Sequence, residues 1–186
     1  MLDVLSRSGR ADLASSIVNK KDFPGWGWML ENGATTLWEH WELDRNTFSH
    51  SHPMFGSVSQ WFFNWLGGIQ PAPDAIGFDS IIIRPQPVPG LDWVRSNHNT
   101  VRGQIVSNWK RENSSLVMDV QIPLGATALV FLPASRLEQI SESNIRLSTV
   151  PSSIEGIEFV RVEPENHAVV CRLAAGRYSF VIDLEK

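Results

Sequence analysis

The chain has 186 residues, 42% hydrophobic and 19% charged, with a net charge of −4. That length suits one large or two small domains with a real core, and the acidic balance gives no electrostatic case for nucleic acid or an anionic membrane. A lone cysteine, Cys171, excludes an internal disulfide framework, and the apolar runs are too short for a membrane span.

Asp3 and Arg7 interrupt any apolar run at the start, so no signal peptide begins at Met1 and the compartment stays open. Residues 1–8 read as the end of a helix, with Gly9 at the left-handed position that closes it. A second helix follows over about residues 10–19, its buried side carrying Leu13 and Ile17 with Ala14 and Val18. So short a junction implies antiparallel neighbours. Pro24 and Gly25 break the chain, and Trp26 to Glu31 add a helical turn stopped by Asn32-Gly33. Residues 35–42 read as the start of a further helix, because Thr36-Leu37-Trp38-Glu39 matches the capping box. Residues 44–51 form a polar loop. Pro53 suits the first turn of the next helix, where Phe55, Val58, Phe62, Trp65 and Leu66 recur at helical spacing until Gly67-Gly68.

Five prolines fall between Gln70 and Gly90, which marks a junction. Within it, residues 80–84 form a first strand. The periodicity then changes to two, giving strands at 92–97, 101–110, 115–122, 126–132, 158–162, 168–173 and 176–183. Close, even spacing by turn residues points to an antiparallel β-sandwich of jelly-roll type. The expected organisation is α+β in two parts: helical hairpins over 1–69, a Pro-rich junction over 70–90 holding the first strand, and a β-sandwich over 78–186.

The chemistry concentrates in residues 22–66, which hold six of the eight Trp and three of the five His. Glu39 lies between Trp38 and Trp41. Indole faces stack on the C–H faces of sugar rings, and a carboxylate can exchange a proton at the anomeric centre. From the residues alone, Glu39 is either a structural capping residue or such a proton carrier. Trp28 and Trp26 offer further stacking platforms, whereas Trp61 and Trp65 read as core. His52, just before Pro53, is either a buried structural His or a sugar contact. His40, His50 and His52 with Glu39, Glu42 and Asp44 are zinc-type ligands, but their spacing matches no strong metal motif and no metal is expected. In the β half, Trp93, Trp109, Phe131, Phe159 and Phe180 could form a carbohydrate platform, though most are expected in the core. Cys171, alternating with Val169 and Leu173, reads as a small buried hydrophobe. There is no Gly-rich phosphate loop and no nucleophile elbow.

The stretches FPGWGWMLENG, GATTLWEHW and HPMFGSVSQWF resemble the end of the catalytic barrel of bacterial α-L-rhamnosidases, glycoside hydrolase family 78. The resemblance spans about residues 9–69. The remainder is more weakly similar to that family's C-terminal β-domain. The resemblance implies that residues 1–69 are the last hairpins of an (α/α)6 barrel and that Glu39 is the general base activating a water for inverting hydrolysis. It places His52 in the sugar subsite with Trp38, Trp41 and Trp28. It further implies an α-L-rhamnoside substrate, a general acid upstream in the same parent chain, and no cofactor. The competing readings are a non-catalytic carbohydrate-binding or barrel-capping module, or a truncated pseudo-enzyme.

Overall fold

The computed structural model describes residues 1–42, 49–148 and 154–184. The chain divides into two compact units, Met1–Phe63 and Asn64–Lys186.

The first unit is helical. Helices α1 (Leu2–Arg7) and α2 (Ala11–Val18) flank Gly9, whose φ of +73° suits glycine at a helix end. Helix α3 (Trp26–Glu31) ends at Asn32-Gly33, where the Ala34 amide donates to the Met29 carbonyl at 2.9 Å. Gly27 lets α3 approach the preceding turn, since a Cβ there would lie 2.5 Å from the Lys20 carbonyl oxygen. Pro53–Gly56 form a 3-10 turn that leads into α4 (Ser57–Trp61). The indole of Trp61 donates to the buried Ser6 hydroxyl at 2.8 Å, which ties α4 to α1.

Two local expectations change here. On α2 the buried side is Ala11, Ala14 and Val18, while Leu13 is 38% exposed. The three small residues recur at i, i+3 and i+7, so the stripe is rotated toward the side chains that permit close packing. Residues 35–42 are not helical. Their backbone groups bond to residues 49–52 instead, as described below. Most of the expected polar loop, including Asp44, lies outside the described residues.

The second unit is a two-sheet sandwich. Its strands are β1 (Ile69–Pro71), β2 (Ser80–Ile83), β3 (Trp93–Thr100), β4 (Gly103–Glu112), β5 (Ser115–Ile122), β6 (Thr127–Leu132), β7 (Ile140–Glu142), β8 (Ile145–Arg146), β9 (Ile157–Glu163), β10 (Ala168–Leu173) and β11 (Gly176–Asp183). One sheet has the order β1-β2-β6-β10-β9 and the other β3-β4-β5-β11-β7-β8. The pairings are antiparallel except β2 with β6, which is parallel. All seven strands expected beyond the proline-rich junction are present. The additional strands β1, β7 and β8 have two or three residues each, too few to show a period.

Alternation fills the core. Ile81, Ile83, Val130, Leu132, Val169, Cys171 and Leu173 of the first sheet meet Ile105, Leu116, Met118, Val120, Phe180 and Ile182 of the second. Trp109 belongs to this core, and its indole donates to the Leu66 carbonyl at 2.8 Å. Phe131 lies outside it, in a smaller cluster with Ala168 and Val170, and Trp93 is 58% exposed. Gly68, at φ +75°, runs against the Arg84–Pro85 backbone, where no Cβ fits.

Candidate active site

The site is built where the chain leaves α3. The Leu37 carbonyl accepts from the His52 amide at 2.8 Å, and the Glu39 amide donates to the Ser49 carbonyl at 3.1 Å. The Thr36 hydroxyl donates to the His50 carbonyl. These three bonds explain the missing helix. The hydroxyl that would cap it and an amide that would continue it both bond to a segment ten or more residues away. Tertiary pairing of this kind outweighs a capping preference worth about 1 kcal/mol. It also brings the backbone that carries Glu39 beside the backbone that carries His52.

An aromatic wall stands next to this ladder. Trp41 stacks on Phe55 with centroids 3.9 Å apart and planes at 28°. Trp26 meets both edge-on, at 5.1 Å from Trp41 and 6.2 Å from Phe55, and its indole donates to the Phe55 carbonyl at 3.1 Å. Trp38 is buried, 4% exposed, with its ring edge-on to His50 at 6.2 Å. Trp38 and Trp41 thus have different surroundings. Trp28 is half-buried and edge-on to Phe23 at 5.9 Å.

Two polar atoms in this region are buried without a hydrogen-bond partner among the described residues, Glu39 Oε2 and Trp28 Nε1. A buried, unpaired polar atom costs free energy, and such atoms collect where function needs them. One is an acceptor and the other a donor, the pair of contacts a hydroxyl-bearing ligand can make. His52 is half-buried, whereas His40, His50 and Glu42 are exposed. No group of three or more His, Cys, Asp or Glu among the described residues could hold a metal ion.

Helical spacing assigned Phe55 to a core stripe, yet it forms part of the aromatic wall. The available signal was Pro53: a proline-led 3-10 turn changes the direction of the side chain two residues on.

The profile described as the bacterial alpha-L-rhamnosidase 6 hairpin glycosidase domain matches residues 1–66, and that of the bacterial alpha-L-rhamnosidase C-terminal domain matches residues 68–146. An α-L-rhamnosidase of Streptomyces avermitilis is 27% identical over 154 residues, which cover 77% of this chain and 15% of that protein. The crystal structure of a Streptomyces avermitilis α-L-rhamnosidase complexed with L-rhamnose superposes with a TM-score of 0.83 at 25% identity, covering 98% of this chain and 17% of that one. The α-L-rhamnosidase structure from Dictyoglumus thermophilum gives 0.82 at 31% identity, covering 98% and 20%. The chain therefore spans only about a sixth of the length of the curated relatives it matches. With both matched regions lying in sequence order, the chain belongs to the bacterial α-L-rhamnosidase family, as the end of the six-hairpin domain followed by the C-terminal β-domain.

Proposed function

We propose that this chain supplies the general base and part of the sugar subsite of a longer glycoside hydrolase that cleaves terminal α-L-rhamnosides with inversion. The reading rests most on Glu39, whose half-buried carboxylate has one oxygen enclosed and without a partner among the described residues, between two indoles in sequence. It is supported by relatives named as α-L-rhamnosidases, one of them solved with L-rhamnose. Residues 1–69 are then the last hairpins of an (α/α)6 barrel, residues 70–90 the junction, and residues 78–186 the C-terminal domain.

In an inverting displacement a water attacks the anomeric carbon as the glycosidic oxygen leaves on the opposite face of the ring. Glu39 takes the proton of that water, and a carboxylic acid gives one to the departing oxygen. The two carboxyls must stand roughly 6.5–9.5 Å apart to admit the water. We assign the acid to the upstream part of the parent chain, because Glu42, three residues on and exposed, faces the solvent rather than an enclosed cleft. Trp28 and Trp41 provide ring faces and an indole donor, Trp38 backs the site from its buried position against His50, and His52 contributes an imidazole donor or acceptor to the sugar hydroxyls. The reaction moves protons and one water, so it calls for no metal or organic cofactor.

The test is Glu39→Gln in the full-length protein that carries this chain. It should lower kcat on an aryl α-L-rhamnoside by about 10²–10⁴-fold, the usual worth of a positioned base, while L-rhamnose still binds by calorimetry. An unchanged kcat would remove Glu39 from the mechanism.

A further inference from the structure

Within the second unit, the outer face of the second sheet carries an arrangement that the sandwich core does not require. Cross-strand register places Trp93 opposite Lys110, and Lys110 opposite Val117. The next row on the same face is polar throughout: Arg95 opposite Asn108, Asn108 opposite Asp119, and Asp119 opposite Ser179. Partners directly opposite share a face, and so do residues two apart on one strand. The polar row crosses four strands and so extends about 14 Å at the usual strand spacing, longer than one pyranose ring. Trp93, Arg95, Asn108, Lys110, Val117 and Asp119 line one groove there.

We propose that this groove binds a neutral oligosaccharide, with Trp93 as the stacking platform and Arg95, Asn108 and Asp119 as the hydroxyl-binding row. This site is independent of Glu39 and of the hydrolytic reading. Trp93 is 58% exposed at the start of an edge strand, and the Arg95 guanidinium carbon lies 5.6 Å from its ring centroid, which steadies the indole. Asn108 is held in one orientation, because its Oδ1 accepts from the Ser96 amide at 3.1 Å; the side-chain NH2 is left to donate. Asp119 accepts from the Ser179 hydroxyl at 2.8 Å through one oxygen, leaving the other as an acceptor. A fixed amide, a carboxylate and a guanidinium beside an exposed indole match the alternation of C–H faces and hydroxyl edges on a sugar.

Charge selects the class of ligand. Arg95 and Lys110 are balanced by Asp119 and Glu112, and Lys110 is bonded to Glu112 at 2.8 Å. The groove therefore has no net charge with which to attract a phosphate backbone or a polyanionic glycan. A protein partner fits poorly as well, since the centres of protein interfaces are depleted in charged side chains. The outer face of the first sheet has the opposite character, an apolar cluster of Phe131, Ala168 and Val170.

The test is a ¹H–¹⁵N NMR titration of the whole chain with cellohexaose, xylohexaose and mannohexaose, and with L-rhamnose as a marker for the Glu39 region. At least one hexaose should shift the Trp93 indole and Asn108 side-chain amide signals saturably. Trp93→Ala should weaken that binding at least about tenfold, Asn108→Ala by about two- to tenfold as one hydrogen bond is lost, and Glu39→Gln should leave it unchanged. Both substituted side chains lie on the surface, and the dispersion of the remaining signals reports that the sandwich is intact. No saturable shift with any hexaose, or shifts that persist unchanged in Trp93→Ala, would overturn the proposal. Binding that is lost in Glu39→Gln but kept in Trp93→Ala would assign the sugar to the other site and overturn it equally.

Discussion

Trp41 lies stacked on Phe55, centroids 3.9 Å apart, while the Phe55 carbonyl accepts the indole N–H of Trp26 at 3.1 Å. One residue of the turn after Pro53 thereby holds two indoles, one at the start of α3 and one two residues beyond Glu39. Stacked aromatic pairs contribute about 0.5–1.5 kcal/mol beyond their burial. Phe55→Ala should therefore speed hydrogen exchange at the Glu39 and His52 amides by about tenfold or more. Unchanged exchange would mean that the ladder between residues 37–39 and 49–52 stands without the ring.

Purified alone, the chain should not hydrolyse an aryl α-L-rhamnoside at an appreciable rate, because one carboxylate cannot act as both acid and base in a single displacement. Glu42 is the internal competitor. A helix over residues 35–42 would have fixed it one turn from Glu39, but the segment is not helical. Robust turnover, abolished by both Glu39→Gln and Glu42→Gln, would show that the chain contains its own acid.

The Trp109–Leu66 hydrogen bond marks where the β unit begins. A fragment starting at Asn64 keeps that bond and β1, whose Ile69 is buried against the core. One starting at Gly77 loses both. The longer fragment should unfold cooperatively in urea, and the shorter one should be less stable by at least about 2 kcal/mol, from one lost hydrogen bond and one lost buried side chain. Trp109→Phe in the longer fragment should cost about 1–3 kcal/mol, since it leaves the Leu66 carbonyl unpaired. Equal midpoints for the two fragments would show that residues 64–76 add nothing.

Cys171 is fully buried, and burial pushes its thiol from 9.0 up to about 12. In the folded chain it should resist iodoacetamide at pH 8 and react only as the β unit unfolds. The folded state holds this proton more tightly than the unfolded state does. Its contribution to stability is thus complete below pH 9 and declines as the pH rises from 9 toward 12. Alkylation of the native chain at the rate of a free thiol would contradict the packing around β10.

The helical unit should be the labile one. Its helices have five to eight residues, and isolated helices so short are marginal in water. Leu13, Leu30, Phe62 and Phe63 are 38%, 69%, 41% and 49% exposed. Hydrogen exchange across residues 1–63 should be fast relative to the β unit, or light scattering should show self-association. Slow exchange in a confirmed monomer would make these helices a self-sufficient domain and remove the case for a larger barrel around them.

Much of this molecule was legible without a structure, for a local reason. A strand of six or more residues, alternating with one face buried or apolar on both, carries its own signal, so β3 to β6 and β9 to β11 announce themselves. Glycines at +73° and +75°, Gly9 and Gly68, mark helix ends because few other residues adopt that backbone. The motif around Glu39 carries its family in a handful of residues. What the tertiary structure decided were contests between partners. Thr36 could cap a helix with its own neighbours or bond the His50 carbonyl, and the distant partner won. Leu13 and Ala14 could each have claimed the inward side of α2, and the smaller side chain took it. Strands β1, β7 and β8, and the parallel pairing of β2 with β6, exist only because neighbouring strands offer backbone groups to bond. Local preference is worth about 1 kcal/mol at a cap or in a short strand, and several cross-chain hydrogen bonds with a stacked aromatic wall together exceed it.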